Sequence, residues 1–198
     1  WSSDVCSSDL GDAFYNNAFN VNADKVVNNS LDNNIFWASW YNYYRVIKQA
    51  NAVIKFTPQV LEAGGISAEK ADDVMGQAYC LRAFTYFWII RIWGDAPLVT
   101  APYLDSNDSF DLPKAAVADI VEQIHSDLEN ASNMIDKNST SRTTFTQTAA
   151  YAINAHVYAW EHKYEETINM ADKVLTNTNY TLANLYDEKY TGTTDDVK

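Results

Sequence analysis

The chain has 198 residues, of which 47% are hydrophobic, and this is enough apolar material for one domain with a real core. Its formal net charge of −12 argues against nucleic acid and against direct adsorption to an anionic bilayer, because both require clustered Lys and Arg. No apolar run approaches the roughly 20 residues that span a bilayer, since Arg91 and Asp95 interrupt the most apolar window.

Residues 1–10 have no initiator Met, no basic region and no apolar stretch, so we expect neither a signal peptide nor a lipoprotein leader there. We interpret them as an atypical stretch that could be foreign to the natural protein, and residues 11–198 as a single helical domain truncated at both ends. Cys6 lies in the atypical stretch. Cys80 lies in a predicted helix, where we expect a small buried hydrophobic residue and no disulfide.

Residues 11–34 are dense in Asn and Asp, whose side chains compete for backbone hydrogen bonds and favour loops. A helix is predicted over residues 35–56 because aromatic and aliphatic residues recur there at three- and four-residue spacing. Thr57 and Pro58 are expected to stop it. Gly64 and Gly65 then break the connector to the next helix.

The next predicted helix, residues 68–93, is expected to lie at the centre of the fold. Between Arg82 and Arg91 no residue is charged, and large apolar side chains fall on every side of a helical wheel, which is typical of an enclosed helix. Gly94 suits the position after the last turn, and Pro97 cannot continue the helix. The sequence therefore predicts a central helix that ends sharply at this glycine.

Residues 95–113 form a long connection interrupted by prolines, and Pro113 is expected to open a helix over residues 114–135. Apolar residues follow one helical stripe there, from Val117 to Ile135. Four acidic residues are predicted on the solvent side of this helix: Asp119, Glu122, Asp127 and Glu129.

The last two predicted helices, residues 147–161 and 164–176, are joined by His162 and Lys163 alone and should form a tight helical hairpin. The second of them is expected to bury Tyr164, Ile168, Ala171 and Leu175. The hairpin partly matches a tetratricopeptide repeat, with Ala155 and Ala171 at small packing positions. These patterns predict an all-α fold of stacked tetratricopeptide-like helix pairs with long irregular loops.

Several motifs recur in one order along the chain and together indicate a family. They are Trp40 to Asn51, Leu81-Arg82-Ala83-Phe84, Trp93 to Val99, Asp127-Leu128-Glu129-Asn130-Ala131, and Tyr164-Glu165-Glu166-Thr167. In this pattern the chain resembles the SusD/RagB family of outer-membrane nutrient-binding lipoproteins of Bacteroidota. The resemblance implies glycan or other nutrient-oligomer binding, hand-over to a SusC-like TonB-dependent transporter, and an outward-facing position at the outer membrane. It also implies membrane attachment only through a lipid anchor that this chain lacks.

Ligand-binding candidates come from the Asn-rich loop and the start of the first helix. A sugar ring can stack on an aromatic side chain while an amide hydrogen-bonds its hydroxyls, and Tyr15, Phe19, Asn20 and Trp37 offer these groups. The alternative is that the loop is simply solvated and that Trp37 packs into the core.

No catalytic, metal or cofactor site is expected. His125, His156 and His162 lie on different elements, and the sequence has no HExxH motif, no paired cysteine spacing and no glycine-rich phosphate loop. We predict a non-catalytic nutrient-binding protein. The rival interpretations are a tetratricopeptide-type scaffold that grips a partner protein and, as a third, an all-helical glycosidase, for which no carboxylate pair can be selected.

Overall fold

The computed structural model of the protein describes residues 40–102 and 112–177. This part contains α1 (Trp40–Glu62), α2 (Ala68–Trp93), α3 (Val117–Met134), α4 (Gln147–Trp160) and α5 (Tyr164–Leu175). Its one pairing of extended backbone is an isolated antiparallel bridge between Ala96 and Ala115. The predicted all-α fold is confirmed. Among these helices, none combines the length and the apolar character that crossing a membrane requires.

Helix α1 continues beyond the stop that the sequence predicted, so that part of the prediction is wrong. Pro58 lies inside the helix, where it removes only one backbone donor, and the preceding Thr57 is buried. The helix instead ends at Glu62, two residues before Gly64, whose φ is +72°. The N–H groups of Gly64 and Gly65 donate to the carbonyls of Leu61 and Val60, both at 2.9 Å, which is a Schellman motif.

Helix α2 lies at the centre of the described fold, as predicted, and packs against α1, α3 and α4. Ser67 caps its start by accepting a hydrogen bond from the Lys70 backbone N–H at 3.2 Å. Gly94, with φ of +72°, follows its last residue. Cys80 is fully buried in this helix, as expected for a small apolar residue.

Helices α2 and α3 approach closely at Gly76, which is buried. A Cβ atom at this position would lie 2.6 Å from Ile135 Cγ1 and 3.3 Å from Met134 Cβ. The absence of a side chain at Gly76 therefore permits the packing distance between the two helices.

Helix α3 begins at Val117, three residues later than the predicted start at residue 114. The residues after Pro113 remain extended because the Ala115 N–H donates to the Ala96 carbonyl at 2.9 Å. Ala116 occupies the N-cap position but has no side chain that can cap. Asp95, 22 residues earlier in the sequence, supplies the capping group. Its Oδ1 accepts a hydrogen bond from the Val117 N–H at 3.0 Å.

Helices α4 and α5 form the predicted hairpin, with His162 in its turn at a φ of +63°. The predicted burial of α5 is wrong for three side chains: Tyr164, Ile168 and Leu175 are 63%, 59% and 76% exposed. Since all three are exposed, the apolar stripe that they form is not buried within the described part of the chain. Periodicity showed that α5 has an apolar face but not which side of the helix its neighbour would cover.

Candidate functional site

A buried polar network joins the three helices α1, α2 and α3. Arg82 donates from Nε to Asp127 Oδ2 at 2.8 Å and from Nη2 to Oδ1 at 2.6 Å, and it donates from Nη1 to Asn51 Oδ1 at 2.6 Å. The three residues are only 1–3% exposed or fully buried. Gln123 adds a hydrogen bond to Asp127 Oδ1 at 2.8 Å. The geometry is that of a bidentate ion pair with its remaining acceptor sites satisfied.

The solvent-side position predicted for Asp127 is therefore wrong. Asp127 lies beside the buried Leu128 at the border of the apolar stripe of α3, where a partner on α2 can enclose it. Burial raises the pKa of the Asp127 carboxyl, while the hydrogen bonds and charge of Arg82 act in the opposite direction. Burial, assisted by Asp127, likewise raises the pKa of the Cys80 thiol, so Cys80 is an unreactive packing residue.

The same network holds the extended segment 97–101, which leads into the part of the loop that the structure does not describe. Asn51 Nδ2 donates to the carbonyls of Val99 and Ala101 at 3.0 and 3.2 Å. Arg82 Nη1 donates to the Thr100 carbonyl at 3.2 Å. An asparagine and an arginine from the helices thus satisfy three consecutive carbonyls of a segment that has no regular structure of its own.

Two tyrosines complete the attachment of this segment. The Tyr86 hydroxyl accepts a hydrogen bond from the Val99 N–H at 2.6 Å and lies 3.1 Å from the Val99 carbonyl, to which it donates. The Tyr44 hydroxyl donates to the Pro97 carbonyl at 2.7 Å. The described helices therefore fix the base of the long loop at several points.

A second polar feature is an open groove of about 480 Å³ between α3 and the α4–α5 hairpin. Its α3 side carries acidic and hydroxyl side chains, and its α4 side carries two tyrosines and an asparagine. The lining residues that matter for its chemistry are Glu122, Ser126, Glu129, Tyr151, Asn154, Tyr158 and Lys173.

His125 is another of the residues that line this groove. Its Nδ1 lies 2.7 Å from Asn154 Oδ1, its Nε2 lies 2.7 Å from Glu161 Oε2, and its ring stacks on Tyr158 with centroids 4.1 Å apart. Both partner atoms are oxygens, and the tautomer of the imidazole decides which ring nitrogen donates. Lys163 Nζ lies 2.8 Å from Glu161 Oε1, so this carboxylate is held between two donors.

The electrostatics around His125 follow from these contacts. Burial raises the pKa of Glu161, but hydrogen bonds from Lys163 and His125 outweigh it and leave the pKa below its ordinary value. The pKa of Tyr158 is raised by burial and by the carboxylates of Glu161, Glu166 and Glu129. Within residues 40–102 and 112–177, no group of three or more His, Cys, Asp or Glu residues could hold a metal ion.

The four predicted ligand-binding residues Tyr15, Phe19, Asn20 and Trp37 all lie outside the described residues, as does Cys6. Their roles stay predictions. The groove was missed because its walls come from α3 and α4, and no spacing within either helix reveals which faces meet. The one local signal was the recurrence of Tyr151, Asn154 and Tyr158 on a single helical face.

A SusD-like family model described as "Starch-binding associating with outer membrane" matches residues 2–159. The chain belongs to the SusD-like family. The curated SusD-like protein P38 of Formosa agariphila is 27% identical over 162 residues, which cover 79% of this chain and 30% of that relative. This SusD-like chain therefore spans less than a third of the length of the curated relative.

Solved SusD-like structures show the same helical arrangement. A SusD superfamily protein from Bacteroides vulgatus is 27% identical with a TM-score of 0.66, and the match covers 75% of this chain and 31% of the other. A structure solved with xylogluco-oligosaccharide is 26% identical with a TM-score of 0.63, and the match again covers 75% and 31%. The resemblance inferred from the motifs is confirmed.

Three of the motifs that carried this SusD-like resemblance each supply one member of the buried network. Asn51 ends the first motif, Arg82 lies in Leu81-Arg82-Ala83-Phe84, and Asp127 opens the acidic motif of α3. The residues are far apart in the sequence but hydrogen-bonded in the fold. The motifs thus mark the contact that fixes the 97–101 segment.

Proposed function

We propose that the full-length protein binds glycans at the outer-membrane surface without converting them and passes them to a SusC-like TonB-dependent transporter. The observation that carries this proposal is the family match over residues 2–159, whose description names starch binding and association with the outer membrane. The related structure solved with xylogluco-oligosaccharide supports an oligosaccharide as ligand.

The described helices act in this proposal as a rigid support for ligand-binding loops. Binding residues are commonly carried by loops that a rigid scaffold positions. The 97–101 segment is held by hydrogen bonds from Tyr44, Asn51, Arg82 and Tyr86. The residues proposed to contact the sugar, Tyr15, Phe19, Asn20 and Trp37, precede α1 in the sequence.

The proposal is tested by titrating the purified chain with maltooligosaccharides and xylogluco-oligosaccharides in a calorimeter. Tyr15→Ala and Trp37→Ala should each weaken binding, whereas Tyr164→Ala, which removes an exposed tyrosine from α5, should not. Cleavage products in the same samples would contradict the non-catalytic role. Peptide binding without any glycan binding would instead favour the tetratricopeptide-type scaffold.

A further inference from the structure

Helix α5 carries a stripe of large apolar side chains, Tyr164, Ile168 and Leu175, that the described part of the chain leaves more than half exposed. None of the residues of α5 is buried. At 3.6 residues per turn, the three side chains project within about 40° of one another around the helix axis. Aligned in this way they form one contiguous apolar surface, and such surfaces in proteins commonly mark a place where something binds.

The stripe faces away from the partner of α5 in the hairpin. Lys173 Nζ lies 4.9 Å from the ring centroid of Tyr151, so the side of α5 that carries Lys173 is turned toward α4. Helical geometry places Lys173 roughly opposite Tyr164, Ile168 and Leu175. Helix α4 therefore cannot cover the stripe, and its cover must come from elsewhere.

The chain itself supplies an apolar segment directly after α5. Asn177 holds the chain close to the end of α5, since its Nδ2 donates to Thr148 Oγ1 at 2.6 Å and its N–H donates to the Val174 carbonyl at 3.2 Å. Residues 178–186 follow and contain no charged residue, although 20% of the whole chain is charged. They include four large side chains with apolar surface: Tyr180, Leu182, Leu185 and Tyr186. Charged residues return immediately afterwards, from residue 187.

The length of this segment suits the stripe. Helix α5 has 12 residues and is therefore about 18 Å long. Nine extended residues reach up to about 30 Å, so residues 178–186 can return from Asn177 along α5 as far as Tyr164. A segment tethered so closely has an effective concentration in the millimolar range, far above that of a second copy in dilute solution. Tethering therefore favours the chain's own segment as the occupant.

We propose that residues 178–186 fold back along α5 and cover the stripe of Tyr164, Ile168 and Leu175. The apolar side chains of the segment are then buried against those of the helix, and the charged residues from 187 onward remain in solvent. The covered stripe is closed to a second copy and to a helix of a partner protein. This inference does not depend on glycan binding.

The test measures the reactivity of a thiol introduced into the stripe of the whole chain. In a Cys6→Ser background, Ile168→Cys places the thiol within the stripe, and Asn169→Cys places it at the adjacent exposed position outside the stripe. The thiol of Ile168→Cys should react with a maleimide at least about tenfold more slowly than that of Asn169→Cys. Cys80 is fully buried and should stay unreactive in every variant, which reports an intact core.

Variants of the segment then identify the cover. Leu182→Ser combined with Leu185→Ser should bring the rate for Ile168→Cys to within about twofold of that for Asn169→Cys. Leu185→Ser alone is a milder change and should give an intermediate rate. Val197→Ser, in the charged remainder of the chain, is the matched control and should leave the protection unchanged.

Each alternative occupant predicts a different result. Protection that is independent of protein concentration and is lost with Leu182 and Leu185 supports the inference. Equal rates for Ile168→Cys and Asn169→Cys would overturn it. Protection that persists in the double serine variant would overturn it in favour of another part of the chain, and protection lost on dilution would overturn it in favour of a second copy. The calorimetric titration tests glycan binding separately.

Discussion

Arg82 and Asp127 form a buried bidentate ion pair between the central helix α2 and α3, with N to O distances of 2.8 and 2.6 Å. Their side chains are 4% and 0% exposed. The guanidinium also binds Asn51 on α1 and the Thr100 carbonyl, so one side chain connects three helices with the base of the long loop. Three of the motifs by which the sequence resembles the SusD-like family meet at this contact.

Removing one member of this pair should be strongly destabilising. Arg82→Met leaves the Asp127 carboxylate buried without its counter-charge, and we expect a loss of about 3–5 kcal/mol in the free energy of unfolding, measured with urea. Lys70→Met is the control, because it breaks an exposed ion pair with Asp73 and should cost less than about 1 kcal/mol. The double change Arg82→Met with Asp127→Leu should cost less than the sum of the single changes. Equal losses of unfolding free energy for Arg82→Met and Lys70→Met would contradict a stabilising role of the buried ion pair.

Tyr86→Phe should loosen the 97–101 segment. The change removes the hydroxyl that bonds both the N–H and the carbonyl of Val99, and leaving such groups unsatisfied costs about 1–3 kcal/mol. We expect faster hydrogen exchange at the Val99 amide, measured by NMR. Tyr79→Phe, a tyrosine on the same helix, is the control. Unchanged Val99 protection would show that the hydroxyl does not hold this segment.

Gly76→Ala should destabilise the protein even though alanine favours helix. The new Cβ would lie 2.6 Å from Ile135 Cγ1, so α2 and α3 would have to separate, at a cost of about 1–3 kcal/mol. A second change, Ile135→Ala, removes the clashing atom, and the cost of Gly76→Ala should fall in that background. Thermal unfolding of the four proteins measures this coupling, and a cost that is the same in both backgrounds would refute the close-contact explanation.

His162→Gly should stabilise the α4–α5 hairpin. His162 has a φ of +63° at the end of α4, and a left-handed conformation costs a non-glycine residue roughly 1–2 kcal/mol. Gly64 occupies the equivalent position after α1 with φ of +72°, so Gly64→Ala is the reciprocal control and should destabilise. We expect the urea midpoint to rise for His162→Gly and to fall for Gly64→Ala. A fall for both variants would indicate that the His162 side chain contributes more to stability than relief of its backbone strain.

Glu161 should make the hairpin sensitive to acid. Burial opposes ionisation, but hydrogen bonds from Lys163 and His125 leave the folded-state pKa of Glu161 below the ordinary value of 4.5. A depressed pKa means that the unfolded chain binds the proton more readily. The stabilisation is therefore complete above the unfolded pKa and is lost as the pH falls through the folded pKa. The difference in unfolding free energy between wild type and Glu161→Gln should shrink from about pH 6 to about pH 3.

The matched control for this titration is Glu165→Gln, which changes an exposed glutamate of α5 that forms no ion pair with described residues. The difference in unfolding free energy between Glu165→Gln and wild type should vary less over the same pH range. A constant difference for Glu161→Gln across that range would show that its two hydrogen bonds do not depend on ionisation.

Much of the helical scaffold could be predicted from local sequence. Helix α2 is apolar on every side between Arg82 and Arg91, and its end at Gly94 follows from the conformational freedom of glycine. The predicted end of α1 was wrong because two local signals for a helix end lie close together. Pro58 was expected to stop α1, yet the glycine pair beyond it provides the stronger end through a Schellman motif.

Burial of charged and apolar side chains at the edges of helices could not be predicted. Asp127 has the same local pattern as the exposed Glu129, and only the position of Arg82 on the neighbouring helix makes it a core residue. Tyr164 and Leu175 show the periodicity of a buried face, but both side chains are exposed in the described part of the chain.

The sequence by itself determined the helices, their order and the SusD-like family, because these depend on spacing and residue type along the chain. Only the tertiary structure decided that Asn51, Arg82 and Asp127 meet, and that Asn154, Glu122 and Glu129 line one groove. These contacts join residues distant in sequence, and their formation depends on how the helices are rotated and spaced against one another.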